Sequence, residues 1–379
     1  MKALFILILI LAFYSCNSFA SETSPKLNIK KILKKVIDEK REAAELVGLG
    51  AIVVKDGKVI GLSVSGERKK GSGSLITPSD LWHIGSITKS FTATMMARLI
   101  EKGDLSWDTS IKDVFPDDNK IHSEWNDVTL SNLLTHTSGA KSNFSFFVGL
   151  KNPNDGNERM AARESAVRGI LAQRPESTPG STFVYSNVGY TIAGVMAEKK
   201  TGISWENLIR QEVFSPLGMQ SGGFGTPKDI EGKFSQPWGH RKILGFSVST
   251  KDDNTSIIGP AGTIHLSLKD LALYANEHLK GIQGQNLILK RDSFQRLHKP
   301  NLNNYAYGWA IGSPQELGVG NVHWHNGSNT MWYALLVIIP DINAAIAITS
   351  NDGNFQVAEK TSWEIIKHLV KPLAIAYNK

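Results

Sequence analysis

Apolar residues recur every three or four positions between residues 26 and 46, a spacing typical of an amphipathic helix. Two runs rich in β-branched residues come next, at 50–54 and 58–64, and Asp56-Gly57 lies between them. Asp-Gly between two apolar runs is a strong signal for a tight turn joining antiparallel strands. The first part of the chain therefore predicts a helix followed by a β-hairpin.

Helical spacing dominates the middle of the sequence. One helix is expected to begin near Ser86 and to end at Lys102, because Gly103 is a natural C-terminal stop. Further helical patterns lie at 158–172, 187–201, 204–213, 267–280 and 290–298. Strand patterns return near the end of the chain, at 305–311, 321–325, 332–339 and 344–349, before a last helical pattern at 355–370.

Strands at both ends of the chain and helices between them predict an α+β fold. We expect the terminal strands to share one antiparallel sheet, with the first and last helices packed on one face. The α/β part is placed at about 26–85 and 300–379, and a mostly helical lobe at about 86–299. The middle, 104–300, is expected to contain only helices and loops. A crevice between the two parts is the expected position of an active site.

The N-terminus has the pattern of a secretory signal peptide. Lys2 precedes an apolar run at 3–14, and Ser18-Phe19-Ala20 is a small-x-small exit. We expect cleavage after Ala20, which leaves 21–379 as a secreted or periplasmic domain. The apolar run is too short for a comfortable membrane span, so none is expected in the mature protein. The alternative is a lipid anchor at Cys16.

Composition narrows the possible functions. Cys16 is the only cysteine, so a disulfide within the chain and a cysteine-based zinc or iron–sulfur site are both excluded. The net charge of +7 is mild for 379 residues, and the lysine-rich segment 26–40 is interpreted as a solvated helix face. No nucleic-acid partner is predicted. The oligomeric state is left open.

The stretch Gly85-Ser86-Ile87-Thr88-Lys89 is the first candidate for catalysis. Ser86 and Lys89 are three residues apart and therefore share one face of a helix. A buried lysine beside a serine can lose its proton and act as a base, because burial disfavours the charged form. The same spacing also arises by chance in many proteins. The G-x-S-x-G and H-E-x-x-H motifs of other hydrolases are absent.

Tyr185-Ser186-Asn187 is a second candidate, between a Pro-Gly loop and a helical pattern. Tyr185 could relay a proton, and Asn187 could hold a lysine or an amide carbonyl of the substrate. The alternative is an aromatic packing residue followed by a helix N-cap.

His325-Asn326-Gly327-Ser328 ends a predicted strand and is the third candidate. Gly327 would let a substrate backbone approach closely, and the N–H groups of Ser328 and Ser86 could form an oxyanion hole. A simple hairpin turn is the alternative. His323 and His325 share one strand face, but the sequence shows no obvious third ligand, so no metal site is predicted.

These three motifs, in this order, resemble the serine β-lactamase and penicillin-binding-protein superfamily. The Tyr-x-Asn motif is similar to the branch that holds class C β-lactamases, D-alanyl-D-alanine carboxypeptidases and β-lactamase-like esterases. The resemblance extends over about residues 26–370. It includes further similar stretches at 81–92, 133–139, 179–190, 214–219 and 260–262.

The resemblance implies acyl transfer without a cofactor, on a small-molecule or peptide substrate. Ser86 would form the acyl-enzyme, Lys89 and Tyr185 would handle the proton, and which of them is the base stays open. Asn187 would position Lys89 and the substrate, while His325, Gly327 and Ser328 would complete the substrate-binding strand. The expected reaction is hydrolysis of an amide, in a D-amino-acid peptide or a β-lactam. A carboxylesterase and a catalytically silent binding protein are the alternatives.

Two departures from the family pattern bear on the substrate. His325 stands where class C β-lactamases carry lysine, and an imidazole binds a carboxylate less firmly. Asn329, Thr330 and Trp332 are bulkier than the residues usual after this motif. We expect them to narrow the strand along which the substrate lies.

Overall fold

The computed structural model describes residues 28–153, 156–229, 234–285 and 288–375. The expected signal peptide and Cys16 lie outside these ranges. The β-strands are β1 Gly48–Lys55, β2 Lys58–Gly66, β3 Leu81–His83, β4 Gly223–Phe224, β5 Gly239–Ile243, β6 Phe246–Thr250, β7 Ile264–Ser267, β8 Ala310–Gly312, β9 Val322–Ser328, β10 Tyr333–Ile339 and β11 Ala344–Ser350. The α-helices are α1 Ile29–Ala43, α2 Thr88–Lys102, α3 Ile111–Val114, α4 Leu130–Leu134, α5 Phe146–Gly149, α6 Gly156–Leu171, α7 Asn187–Thr201, α8 Trp205–Ile209, α9 Gly259–Gly262, α10 Leu268–Ile282, α11 Arg291–Leu297 and α12 Phe355–Ile375.

A six-stranded antiparallel sheet joins the two ends of the chain. Its strand order is β2-β1-β11-β10-β9-β8, so the N-terminal hairpin pairs with the last strand. The predicted α+β class and the shared sheet are confirmed. Asp56 and Gly57 form the expected turn between β1 and β2, and both have positive φ, as the tightest hairpin turns require.

The central strands of this sheet are buried on both faces. Alternate residues such as Leu49 and Leu335 pack with α1 and α12, which confirms the predicted position of the first and last helices. The residues between them, such as Ile52 and Leu336, face α10. The expected helical lobe included α10, but its packing places it on the second face of the sheet.

The middle of the chain also contains strands, which corrects the expectation of helices and loops alone. β3, β7 and β4 form a small sheet, and β5 and β6 form a hairpin. The strands of this region, β4 to β7, have two to five residues. β5 carries polar residues on both faces, and the apolar alternation of β6 is limited to Phe246 and Val248, so the pattern is too short to stand out. Strand β8 is also shorter than predicted, because only Ala310–Gly312 pairs with β9.

Helix α2 runs through the centre of the molecule and carries the candidate serine at its entrance. It is buried without interruption from Thr88 to Ala97, so every side of this part of the helix packs against other elements. Gly103 closes it in a left-handed conformation, as predicted. Within the described ranges, no helix is both long and apolar enough to cross a lipid bilayer.

Candidate active site

Ser86 lies in a short 3-10 turn, Gly85–Ile87, that leads into α2. Lys89 follows one turn later, and its Nζ lies 3.0 Å from Ser86 Oγ. The predicted pairing of these two side chains on one helical face is therefore present. Ser86 itself is partly accessible, whereas Lys89 is fully buried.

Three oxygen atoms surround Nζ of Lys89. Nζ donates to Asn187 Oδ1 at 2.7 Å and to the carbonyl of Ala261 at 2.8 Å, and the hydroxyl of Ser86 is its third neighbour. Burial in this position lowers the pKa of Lys89 well below its usual value. The site thus favours an uncharged amine beside the serine hydroxyl.

Tyr185 lies on the other side of the same amine. Lys89 Nζ is 4.7 Å from the centre of the Tyr185 ring, and the Tyr185 hydroxyl is hydrogen-bonded to Ser86. Burial raises the pKa of Tyr185, and the bond to Ser86 opposes that shift only in part. The phenol therefore keeps its proton at neutral pH and is available as a donor.

Asn187 is the first residue of α7, and Ser186 caps that helix by accepting the N–H of Gly189. The Asn187 amide joins two parts of the site. Its Oδ1 accepts from Lys89, while its Nδ2 donates to Asn143 Oδ1 at 2.7 Å. Ser186 therefore caps the helix while Asn187 contacts Lys89. The N-cap interpretation and the catalytic interpretation of this motif are thus compatible.

The end of β9 packs directly against the 3-10 turn Gly85–Ile87, which carries Ser86. A Cβ built on Gly327 would lie 2.1 Å from the Ile84 carbonyl oxygen and 2.5 Å from the Ser86 nitrogen. A Cβ on Gly85 would lie 2.4 Å from the Ser328 nitrogen. The close approach at Gly327 is thus made by the protein's own backbone rather than by a substrate. It brings the backbone nitrogens of Ser86 and Ser328 close to each other.

His325 is a buried, neutral imidazole whose two nitrogens are both occupied. Its Nδ1 bonds to the carbonyl of Asn326, and its Nε2 lies 3.0 Å from the Tyr305 hydroxyl. Burial lowers the pKa of His325 to about 3. Its ring centre is 6.3 Å from that of Tyr185. His325 is therefore part of the site but supplies no cation.

The residues after Ser328 correct the expectation of a narrowed substrate strand. Asn329 is buried and bonds to the N–H groups of Met331 and Trp332. Trp332 is fully buried against Trp82, at 6.3 Å between ring centres. Of the three bulky residues, only Thr330 is exposed.

Sequence reasoning gave no role to His136, which packs against Tyr185. Its Nδ1 accepts the N–H of Ser186 at 3.0 Å, and its ring centre lies 4.4 Å from that of Tyr185. Burial lowers the pKa of His136 well below its usual value. His136 has a positive φ of 61°, which is uncommon for a residue with a side chain. That conformation has no clear signal in a single sequence.

His323 faces other histidines rather than a shared metal position with His325. Its Nδ1 lies 3.1 Å from His298 Nδ1, and His298 Nε2 lies 2.9 Å from His278 Nδ1. The three imidazoles form a chain in which each contacts the next. In the part of the chain that the structure describes, no group of three or more potential ligands gathers around one point.

Comparisons with known proteins show which family the chain belongs to. The family model described as "Beta-lactamase" matches residues 33–370. Penicillin-binding protein 4 of Amycolatopsis lactamdurans is 26% identical over 357 residues, which cover 89% of this chain and 88% of that protein.

Solved structures show the same fold. A class C beta-lactamase aligns with a TM-score of 0.74 and 20% identity, over 90% of this chain and 97% of that one. The D-amino acid amidase of Ochrobactrum anthropi SV3, in complex with D-phenylalanine, aligns with a TM-score of 0.72 and 19% identity, over 90% and 98%. The chain therefore belongs to the beta-lactamase family and is a serine hydrolase.

Proposed function

We propose that this hydrolase cleaves amide bonds through an acyl-enzyme on Ser86. The observation that carries the proposal is the fully buried Lys89, which lies 3.0 Å from Ser86 Oγ and is held by Asn187. An uncharged Lys89 takes the proton of Ser86 as Oγ attacks the carbonyl carbon. The N–H groups of Ser86 and Ser328 stabilise the negative charge that develops on the carbonyl oxygen.

Tyr185 supplies the proton that an amide leaving group requires. As the C–N bond breaks, the phenol protonates the departing nitrogen, and the Lys89 ammonium replaces the phenol's proton. Water then attacks the acyl-enzyme and gives a proton to Lys89. Lys89 returns this proton to Ser86 Oγ as the ester bond breaks and the acid is released. The lowered pKa of Lys89 and the raised pKa of Tyr185 favour this division into base and acid.

The surroundings of the serine favour an amide substrate without a carboxylate beside the scissile bond. A β-lactam or a C-terminal D-alanine presents a carboxylate there, and the uncharged His325 cannot pair with it. We therefore favour D-amino-acid amides and peptides over penicillins.

The test follows protein and substrate by mass spectrometry. The wild type is mixed in parallel with a fluorophosphonate, a D-amino-acid amide, a penicillin and a nitrophenyl acetate. Ser86→Ala is the inactive variant, and Ser79→Ala, at an exposed serine, is the matched control. We expect fluorophosphonate labelling that only Ser86→Ala abolishes, with turnover of the D-amino-acid amide.

Two results would contradict the proposal. Turnover of the ester without turnover of any amide would indicate a carboxylesterase. An absence of labelling in the wild type would indicate a catalytically silent protein.

We also propose that residues 1–20 are removed on export. The N-terminal mass of protein secreted by its native host tests this: a chain that begins at Ser21 supports it. A lipid-modified Cys16, or an intact Met1, would refute cleavage after Ala20.

A further inference from the structure

The carboxylate of Asp253 contacts His83, which precedes the 3-10 turn of Ser86, and Asn329, which follows Ser328. Its Oδ1 accepts the backbone N–H of Asn254 at 2.7 Å, which fixes the orientation of the side chain. The carboxylate is only 12% exposed, and its Oδ2 has no hydrogen-bond partner. Nothing in the mechanism proposed above uses this group.

The first contact runs through His83 to the residue before the nucleophile. His83 is fully buried, and its Nδ1 accepts the N–H of Gly85 at 3.1 Å. The ring proton therefore lies on Nε2, which is 3.1 Å from Asp253 Oδ1, in a polar contact without the alignment of a regular hydrogen bond. Gly85 has a φ of 51°, so this pair holds a left-handed turn immediately before Ser86.

The second contact is with Asn329, the residue that follows Ser328 in the chain. Asn329 Nδ2 donates to Asp253 Oδ1 at 2.9 Å. Its own Oδ1 accepts the N–H groups of Met331 at 3.2 Å and Trp332 at 3.1 Å. Asp253 thus anchors the turn that begins directly after Ser328.

We propose that Asp253 is a positioning residue that sets the distance between the N–H groups of Ser86 and Ser328. The inference rests on the proposed function, because it assigns those two groups to the oxyanion hole. One carboxylate oxygen connects the two backbone segments, which are 242 residues apart in the chain. Oxyanion stabilisation depends on donors held within a few tenths of an ångström, so a shared anchor controls the rate of acylation.

The experiment compares Asp253→Ala with Asp253→Asn, which keeps an acceptor oxygen for Asn329. Asp252→Ala is the matched control, because that neighbouring carboxylate is 68% exposed. We expect Asp253→Ala to lower kcat/KM by about 10- to 100-fold while KM changes less than about threefold. Inhibition by phenylboronic acid, whose serine adduct is tetrahedral, should weaken by the same factor. Asp253→Asn should lower kcat/KM and boronate affinity less than Asp253→Ala does, and Asp252→Ala should match the wild type in both.

Labelling with a fluorophosphonate counts the competent active sites, and thermal unfolding reports the stability of each variant. A wild-type kcat/KM and boronate affinity in Asp253→Ala would overturn the inference. A fall in kcat/KM that is matched by an equal fall in the number of labelled sites would also overturn it, because partial unfolding would then explain the whole loss. If Asp253→Ala does not fold, Asp253→Asn carries the same comparison. A wild type that no fluorophosphonate labels would overturn both the proposed function and this inference.

Discussion

Acid should destabilise this protein at pH values where most carboxylates are still ionised, because several buried histidines are held neutral. Burial lowers the pKa of His278 and His325 to about 3 and that of His265 and His323 to about 4. In the unfolded chain each histidine titrates near 6.5. Their contribution to stability is therefore fully present above pH 6.5 and is lost progressively as the pH falls toward the folded-state values.

The size of the effect follows from the protons that only the unfolded chain binds. At pH 5.5 an unfolded histidine is mostly charged, whereas these four are neutral in the fold. Each then favours unfolding by about 1.4 kcal/mol relative to neutral pH, or about 5 kcal/mol together. Lys89, whose pKa is also lowered, acts in the same direction. The raised pKa values of Glu198 and Glu277 act in the opposite direction.

Denaturant unfolding followed by tryptophan fluorescence, at pH 7.5 and 5.5, measures this difference. His265→Asn keeps a donor for the Gly225 carbonyl and should reduce the pH effect by about 1.4 kcal/mol, the contribution of one histidine. His368→Asn, at an exposed histidine, should leave it unchanged. A free energy of unfolding that falls by less than about 1 kcal/mol between the two pH values would refute the reasoning.

Tyr185→Phe should slow amide turnover by about 10²-fold or more, because the leaving nitrogen loses its proton donor. Nitrophenyl ester hydrolysis should fall much less, and equal losses would remove Tyr185 from leaving-group protonation. Gly327→Ala should abolish fluorophosphonate labelling, since its Cβ meets Ile84 O and Ser86 N; wild-type labelling would contradict that close approach. Stripping with EDTA should leave turnover unchanged, whereas a loss that zinc restores would revive a metal site at His323 and His325.

The sequence predicted the elements whose patterns are long and the contacts that lie close in sequence. Strands β10 and β11 are uninterrupted apolar runs, so their existence and approximate bounds follow from the pattern alone. The contact between Ser86 and Lys89 needs only one helical turn. Strands β5 and β6 form a hairpin of five residues a strand, and a pattern of that length is too short to stand out beside β10 and β11.

The electrostatics of the site could not be predicted, since they depend on residues brought together by the fold. His325 was expected to face the substrate, and its position in the strand gives no hint that Tyr305 occupies its second nitrogen. Asp253 lies in a polar loop without periodic pattern, although it contacts both His83 and Asn329. Such groups become visible only when distances are known.

The pairing of Leu49 with Ser350 makes the order of synthesis matter for this enzyme. The hairpin of β1 and β2 is synthesised long before β11, its neighbour in the sheet. The site around Ser86 is likewise incomplete until β9 has been synthesised, because Gly327 and Ser328 pack against the turn that carries Ser86. A growing or truncated chain that lacks these strands has neither a closed sheet nor a second oxyanion donor. The fold therefore delays catalytic competence until β9 and β11 have been synthesised, and its long-range pairing predicts slow folding.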